Sequence, residues 1–382
     1  MKYKLHILLL YIVFLGCKSE PKKQTTASIT GTSLNLKYAT GFSCKDYYTY
    51  KIIKVKKPWP NSKNTFQYAL LKPNFNADFW KLEKSKFNDI IKLPIENIVV
   101  TSTTHIPALE LLNIEESLMG FPETNFISSE KIRKRIDEGF IKEIGKNESL
   151  NTEILIELQP DVIVGFGVDG TNRAFEILKK SGIPIIYNGD WVESSPLAKA
   201  EWIKFFGVLF DKEKEADSIF NQIEKNYLNA KSIAKKTQTK PTVLSGAMHN
   251  DIWYLPNGAS TEAQLLKDAN VNYLWADSNG NGSLKLNFES VFDRAKNADI
   301  WLSPSNYSSL QALKNANTHH SMFKAYQNKS IYSFTNTTGS TGGVTYYELG
   351  YARPDWVLKD IIKICHPNVL KDYKPHFYKP LP

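Results

Sequence analysis

The chain has 382 residues, enough for two domains of ordinary size, with 42% hydrophobic and 23% charged residues. That balance is a soluble globular protein's and supplies apolar material for two cores. The formal charge is +9, but Lys is scattered among Asp and Glu and no aromatic-basic interleave appears; solubility beside an anionic membrane is the expected use of this charge, and nucleic acid is excluded as a partner.

In chain order, Lys2 and Lys4 precede an apolar run from Leu5 to Leu15 that ends at Gly16 and Cys17. A basic start, a short apolar core and a small residue before the cut have the shape of an export signal, too short for a permanent bilayer span. Cys17 directly after Gly16 resembles the lipobox of bacterial lipoproteins. The expectation is a signal over 1–17, lipidation at Cys17 with anchoring to the membrane through that lipid, and a polar tether over 18–33. An ordinary signal peptide with an incidental cysteine is the alternative. Cys44 and Cys365 are the remaining cysteines; they are either a pair that an oxidising compartment joins or, preferably, two buried free thiols.

A β-rich extension is expected over 34–94, with runs at 50–56 and 66–71 flanking the turn-forming Pro58, Trp59, Pro60, Asn61 and Ser62. From residue 95 short apolar runs alternate with helical segments. The runs fall at 98–101, 161–165, 183–187, 242–245, 299–302 and 330–334, and they lack the alternation of a half-exposed strand. Such runs suit strands buried on both faces of a parallel sheet. Helical segments are expected at 151–159, 172–181, 261–269, 288–298 and 354–365. The fold class is therefore α/β.

Between the third and fourth runs, Ala216, Ile219, Phe220, Ile223, Tyr227, Ala230 and Ala234 recur at three- and four-residue steps. A helix this long between two βα sets reads as a strut joining an N-terminal lobe over 95–195 to a C-terminal lobe over 239–367, with connecting helices over 196–238 and a tail over 368–382. The halves also echo one another. Asn151-x-Glu153 and Asn287-x-Glu289 each open a helix that is followed by Asp161 or Asp299 and a strand.

The stretches Gly145 to Ile163, Ser181 to Ile186 and Arg353 to Pro367 resemble the substrate-binding proteins of ABC importers for iron–siderophores, haem and vitamin B12. The likeness covers about residues 95–367. It implies two Rossmann-like lobes joined by a single long backbone helix, here with an N-terminal β-hairpin extension like that of lipoprotein members from Bacteroidetes-type bacteria. It further implies a monomer that works without a cofactor, captures an iron complex or, as the second choice, a corrinoid ligand, and delivers it to the ABC importer membrane permease. In the family a glutamate on each lobe tip docks onto permease arginines; by motif these are Glu153 and Glu289. The local alternative is that each is only a first-turn acid on an Asn-capped helix.

Ligands of open α/β sheets sit beyond the carboxyl ends of the strands. That rule, with the aromatic and polar residues a large flat ligand needs, nominates Thr103, Thr104, His105, Phe166, Trp191, Glu193, Trp253, Tyr254, Tyr346 and Arg353. Bare zinc or manganese would need several converging acceptors, for which His105, His249 and the pair His319 and His320 are the candidates. An exported enzyme is a further alternative, although Gly-x-Ser-x-Gly, phosphate-loop and His-Glu-x-x-His patterns are absent. A purely structural surface lipoprotein would show no cleft.

Overall fold

The computed structural model describes residues 31–75, 84–168, 170 and 172–382. The export signal, Cys17 and nearly all of the tether fall outside them. No helix among the described residues is long and apolar enough to cross a membrane.

The extension is a five-stranded sheet in sequential order: β1 (Thr32–Ser33), β2 (Phe42–Asp46), β3 (Tyr50–Lys56), β4 (Thr65–Leu71) and β5 (Asp89–Lys92). The expected hairpin is its centre, with Lys56 opposite Thr65 and Tyr50 opposite Leu71. One face of the sheet is apolar at every second residue, so Ile53, Val55, Phe66 and Tyr68 are buried. They pack into the N-terminal lobe's own core, where Trp59 and Phe66 lie edge-on to Tyr187 and the Tyr68 hydroxyl accepts from the Tyr187 amide at 3.1 Å. The extension thus completes that lobe.

The N-terminal lobe carries a parallel sheet built from β6 (Ile98–Val100), β7 (Leu118–Phe121) and β8 (Lys142–Glu143); after a small ladder of β9 (Gly145–Lys146) and β10 (Ser149–Leu150) come β11 (Val162–Phe166) and β12 (Ile185–Asn188). Its order is β12-β11-β6-β7-β8. The Val/Ile runs of β6, β11 and β12 are fully buried, as strands covered on both faces must be.

The C-terminal lobe begins with β13 (Thr242–Ser245), β14 (Ala247–His249) and β15 (Ile252–Pro256), followed by β16 (Asn272–Tyr273), β17 (Ser283–Leu286), β18 (Ile300–Leu302), β19 (Ile331–Ser333) and β20 (Lys379–Pro380). Its main sheet runs β16-β13-β18-β19-β20, parallel except for the last strand, and β14-β15-β17 form a smaller antiparallel sheet beside it. The segment after 367 is more than a tail: Phe377, Tyr378 and Leu381 are buried and β20 closes the sheet edge.

The Asn and Asp repeat is architectural. Asn151 and Asn287 each cap a helix, Thr152–Leu158 and Phe288–Ala295, through side chains that accept first-turn amides. Asp161 accepts the amides of Glu96 and Asn97 before β6, and Asp299 accepts the Thr242 amide at the start of β13. In both lobes one carboxylate ties the entry of a strand to the entry of its neighbour.

The helix Glu213–Lys235 has 23 residues and spans about 35 Å. Its buried face follows the sequence periodicity. Ala216, Phe220 and Ile223 belong to the N-terminal core, whereas Tyr227, Ala230 and Ala234 belong to the C-terminal core. One helical stripe therefore nails both lobes to a common strut. Cys44 lies in the first core and Cys365 in the second, both as buried free thiols whose ionisation burial pushes up to about 12.

Candidate functional site: an aromatic cleft between two sheets

The carboxyl ends of the two main sheets face one another across a cleft of about 650 Å³. Ser102, Thr103 and Thr104 follow β6, Phe166 ends β11 and Trp191 follows β12; from the other lobe come Ser245 at the end of β13, Gly246 just beyond it, Ser303 after β18 and Phe334 after β19. A second depression of about 560 Å³ adjoins it and shares Ser102, Thr103, Phe166 and Tyr347.

The N-terminal wall pairs the rings of Phe166 and Trp191 at 5.6 Å. Trp191 is half-buried, and its indole N–H has no partner among the described residues. Its carbonyl is held by the Lys199 ammonium at 2.8 Å, which fixes the turn. The opposite wall is mostly tyrosine. Tyr346 stacks on Phe334 at 4.1 Å, and Tyr347 and Tyr378 meet Phe334 edge-on. Burial raises the phenol ionisation of Tyr346, Tyr347, Tyr351 and Tyr378, so all four present neutral hydroxyls. Gly246 has a φ of +80°, and a Cβ there would collide with the Tyr254 carbonyl, so this close approach behind the cleft requires glycine.

Of the nominated residues, Thr103, Thr104, Phe166, Trp191, Tyr254 and Tyr346 line the cleft. The structure puts four others elsewhere. His105 is fully buried against Phe206, and desolvation lowers its pKa to about 3, so it is a neutral core residue. Trp253 is wholly buried among Trp301, His320 and Phe323, with its indole donating to the Ser245 carbonyl at 3.2 Å. Arg353 forks onto Asp355 at 2.9 and 2.8 Å and stacks on Trp356. Glu193 is turned away from the cleft, accepting the amides of Thr40 and Gly41 and the indole N–H of Trp202.

The strand-end rule also covers Ser102, Gly246, Ser303 and Phe334. Tyr351 and Tyr378 carry no such signal, because they arrive from the turn between the helices Thr345–Leu349 and Pro354–Cys365 and from the returning C-terminal segment. Among the described residues, no group of three or more His, Cys, Asp and Glu is arranged to hold a metal ion. His320 is buried and bonded to the Leu313 carbonyl.

The lobes also meet directly. The Glu348 carboxylate accepts the amides of Ser128 at 2.6 Å and Ser129 at 3.0 Å, and Thr341 donates to the Asn125 carbonyl at 2.9 Å. A Cβ on Gly343 would strike the Phe126 carbonyl, so the seam is close-packed. Burial raises Glu348 from 4.5 to about 7 against the pull of the two amides, and the carboxylate of Glu110 adds to the rise. A native pKa above the unfolded one means that this group's contribution is complete below about pH 4.5 and is lost as the pH passes 7. Between pH 5 and 8 the melting temperature of the wild type is expected to fall relative to that of Glu348→Gln, which cannot titrate. Parallel pH profiles for the two proteins in thermal melts would contradict this assignment.

The model of the periplasmic binding protein family matches residues 98–338, which takes in most of both lobes. The chain belongs to the periplasmic binding protein family. An uncharacterized lipoprotein of Methanocaldococcus jannaschii is 30% identical over 310 residues, covering 78% of this chain and 72% of that protein. Among solved structures, a possible iron-binding periplasmic solute-binding protein from Staphylococcus epidermidis aligns with a TM-score of 0.54 at 20% identity, over 71% of this chain and 99% of its own. A periplasmic haem-binding protein from Pseudomonas aeruginosa gives 0.55 at 15% identity, over 76% and 99%. These structural likenesses share the two-lobed α/β fold.

Proposed function

We propose that this protein is exported, anchored through a lipid on Cys17, and captures an iron complex or a corrinoid in the interlobe cleft for delivery to an ABC importer permease. The observation that supports this most is the cleft itself: two parallel sheets aim their carboxyl ends at a space walled by Phe166, Trp191 and several tyrosines and bridged by one helix. An aromatic-walled space with a few hydroxyls suits a large, flat, partly apolar ligand better than a small polar one. Family membership, the lipoprotein relative and the iron- and haem-binding structural neighbours point the same way. The extension belongs to the same proposal as a Bacteroidetes-type feature.

In titrations of the purified protein with a ferric siderophore, hemin and cobalamin, at least one of the three is expected to quench tryptophan fluorescence with a stoichiometry of one. Trp191→Phe should remove most of that quenching, since among the described residues Trp191 is the tryptophan in the cleft wall. No heat and no quenching with any of the three ligands, together with a strong response to zinc alone, would replace capture of a complex by capture of a bare ion.

A further inference from the structure

The cleft is electrostatically unlike the rest of the molecule. The chain has a formal charge of +9 and 48 Lys and Arg residues. Yet among the described residues no Lys or Arg lines either the main cleft or the depression that adjoins it. Their charged side chains are carboxylates, Glu262 in the first and Glu123 in the second.

Two of the three cations that come near are already engaged. Lys199 is buried behind the wall, donates to the Trp191 carbonyl and sits 3.8 Å from the Tyr351 ring centroid. Arg353 is forked onto Asp355, whereas Lys285 is exposed outside the cleft lining, 5.6 Å from the Tyr254 ring centroid. Helix starts that reach the cleft are likewise occupied. The Ser102 hydroxyl accepts the Thr104 amide, and Glu262 stands in the first turn of the helix Thr261–Asp268. The remaining polar groups are neutral hydroxyls and amides such as Ser102, Thr103, Ser303 and Asn281.

A multiply charged anion entering this space would lose its water and meet no ammonium or guanidinium in return, which is strongly unfavourable. An uncharged or cationic ligand meets aromatic faces, hydroxyls that both donate and accept, and a carboxylate. We infer that the ligand is a metal chelate or corrinoid of zero or positive net charge, such as a ferric hydroxamate, and that polyanionic catecholate chelates and haem with its two propionates are rejected. This rests on the proposed capture of a metal complex and names the charge class that the cleft selects.

The test compares five probes on the purified protein by calorimetry and tryptophan quenching. Ferrioxamine E and cyanocobalamin are uncharged, ferrioxamine B is a cation, and ferric enterobactin and hemin are anions. At least one of the first three is expected to bind about tenfold or more tighter than both anions, the difference reflecting burial of unpaired charge. Glu262→Gln should weaken the cationic complex about threefold more than it weakens an uncharged one, the size of an exposed charge contact. Equal or tighter binding of either anion overturns the charge assignment and leaves capture of a metal complex standing. Silence toward all five overturns the capture proposal, and the charge assignment with it.

Discussion

Glu201→Ala is expected to cost about 3–5 kcal/mol, the range for removing one partner of a buried ion pair. Glu201 is fully buried, and its two oxygens accept the amides of Lys37, Tyr38 and Ala39 at 2.7–3.1 Å. Glu193 takes the next two amides, those of Thr40 and Gly41. Five consecutive backbone N–H groups are thus held by two carboxylates from the segment that leads into the strut. Lys204 lies 3.0 Å from Glu201, is itself buried, and also reaches Asp217 and the Asn35 carbonyl. Without Glu201 its charge would lose the buried half of its compensation, and three amides would stay unsatisfied. Glu201→Gln keeps one acceptor and is expected to lose less, about 1.5–3 kcal/mol. Urea unfolding of the three proteins measures both values. A loss below about 1 kcal/mol for Glu201→Ala would mean that water replaces the carboxylate at little cost.

Changing Glu153 and Glu289 together to Ala is expected to abolish most uptake while leaving ligand affinity within error of wild type. Both are exposed, each sits in the first turn of an Asn-capped helix, and neither lies among the cleft-lining residues. Neither forms an ion pair among the described residues. Two carboxylates on matching helices of the two lobes would fix orientation on a basic permease and speed encounter, and truncating charges of this kind lowers association rates and their salt dependence. Stability should change little, since an exposed first-turn acid contributes roughly 0.3–1 kcal/mol. Normal uptake by the double variant would return both residues to helix capping alone. Loss of ligand binding would instead show that these helix starts communicate with the cleft.

Periodicity along the chain was enough to determine the α/β class and the long connecting helix. The stripe from Ala216 to Ala234 is the buried face of the strut because a 3.6-residue repeat places those side chains on one line whatever they pack against. Continuous Val and Ile runs determined the two parallel sheets, because only strands covered on both faces tolerate them. The strand-end rule reached Thr103, Thr104, Phe166 and Trp191, which end or follow strands of the N-terminal sheet, whereas Tyr254 lies within β15 and Tyr346 in the helix Thr345–Leu349. Which side chain at a strand end faces the cleft was decided by tertiary structure. Trp253 and Tyr254 are adjacent in β15, and the pleat sends one into the core and the other into the cleft. Glu193 turns inward because its amide partners, Thr40 and Gly41, lie about 150 residues earlier and are brought beside it only when the extension docks. Arg353 was taken by Asp355 and Trp356 from its own helix before any ligand could meet it. Tyr378 reaches the cleft only because β20 folds back onto the C-terminal sheet, a long-range pairing that no local pattern encodes.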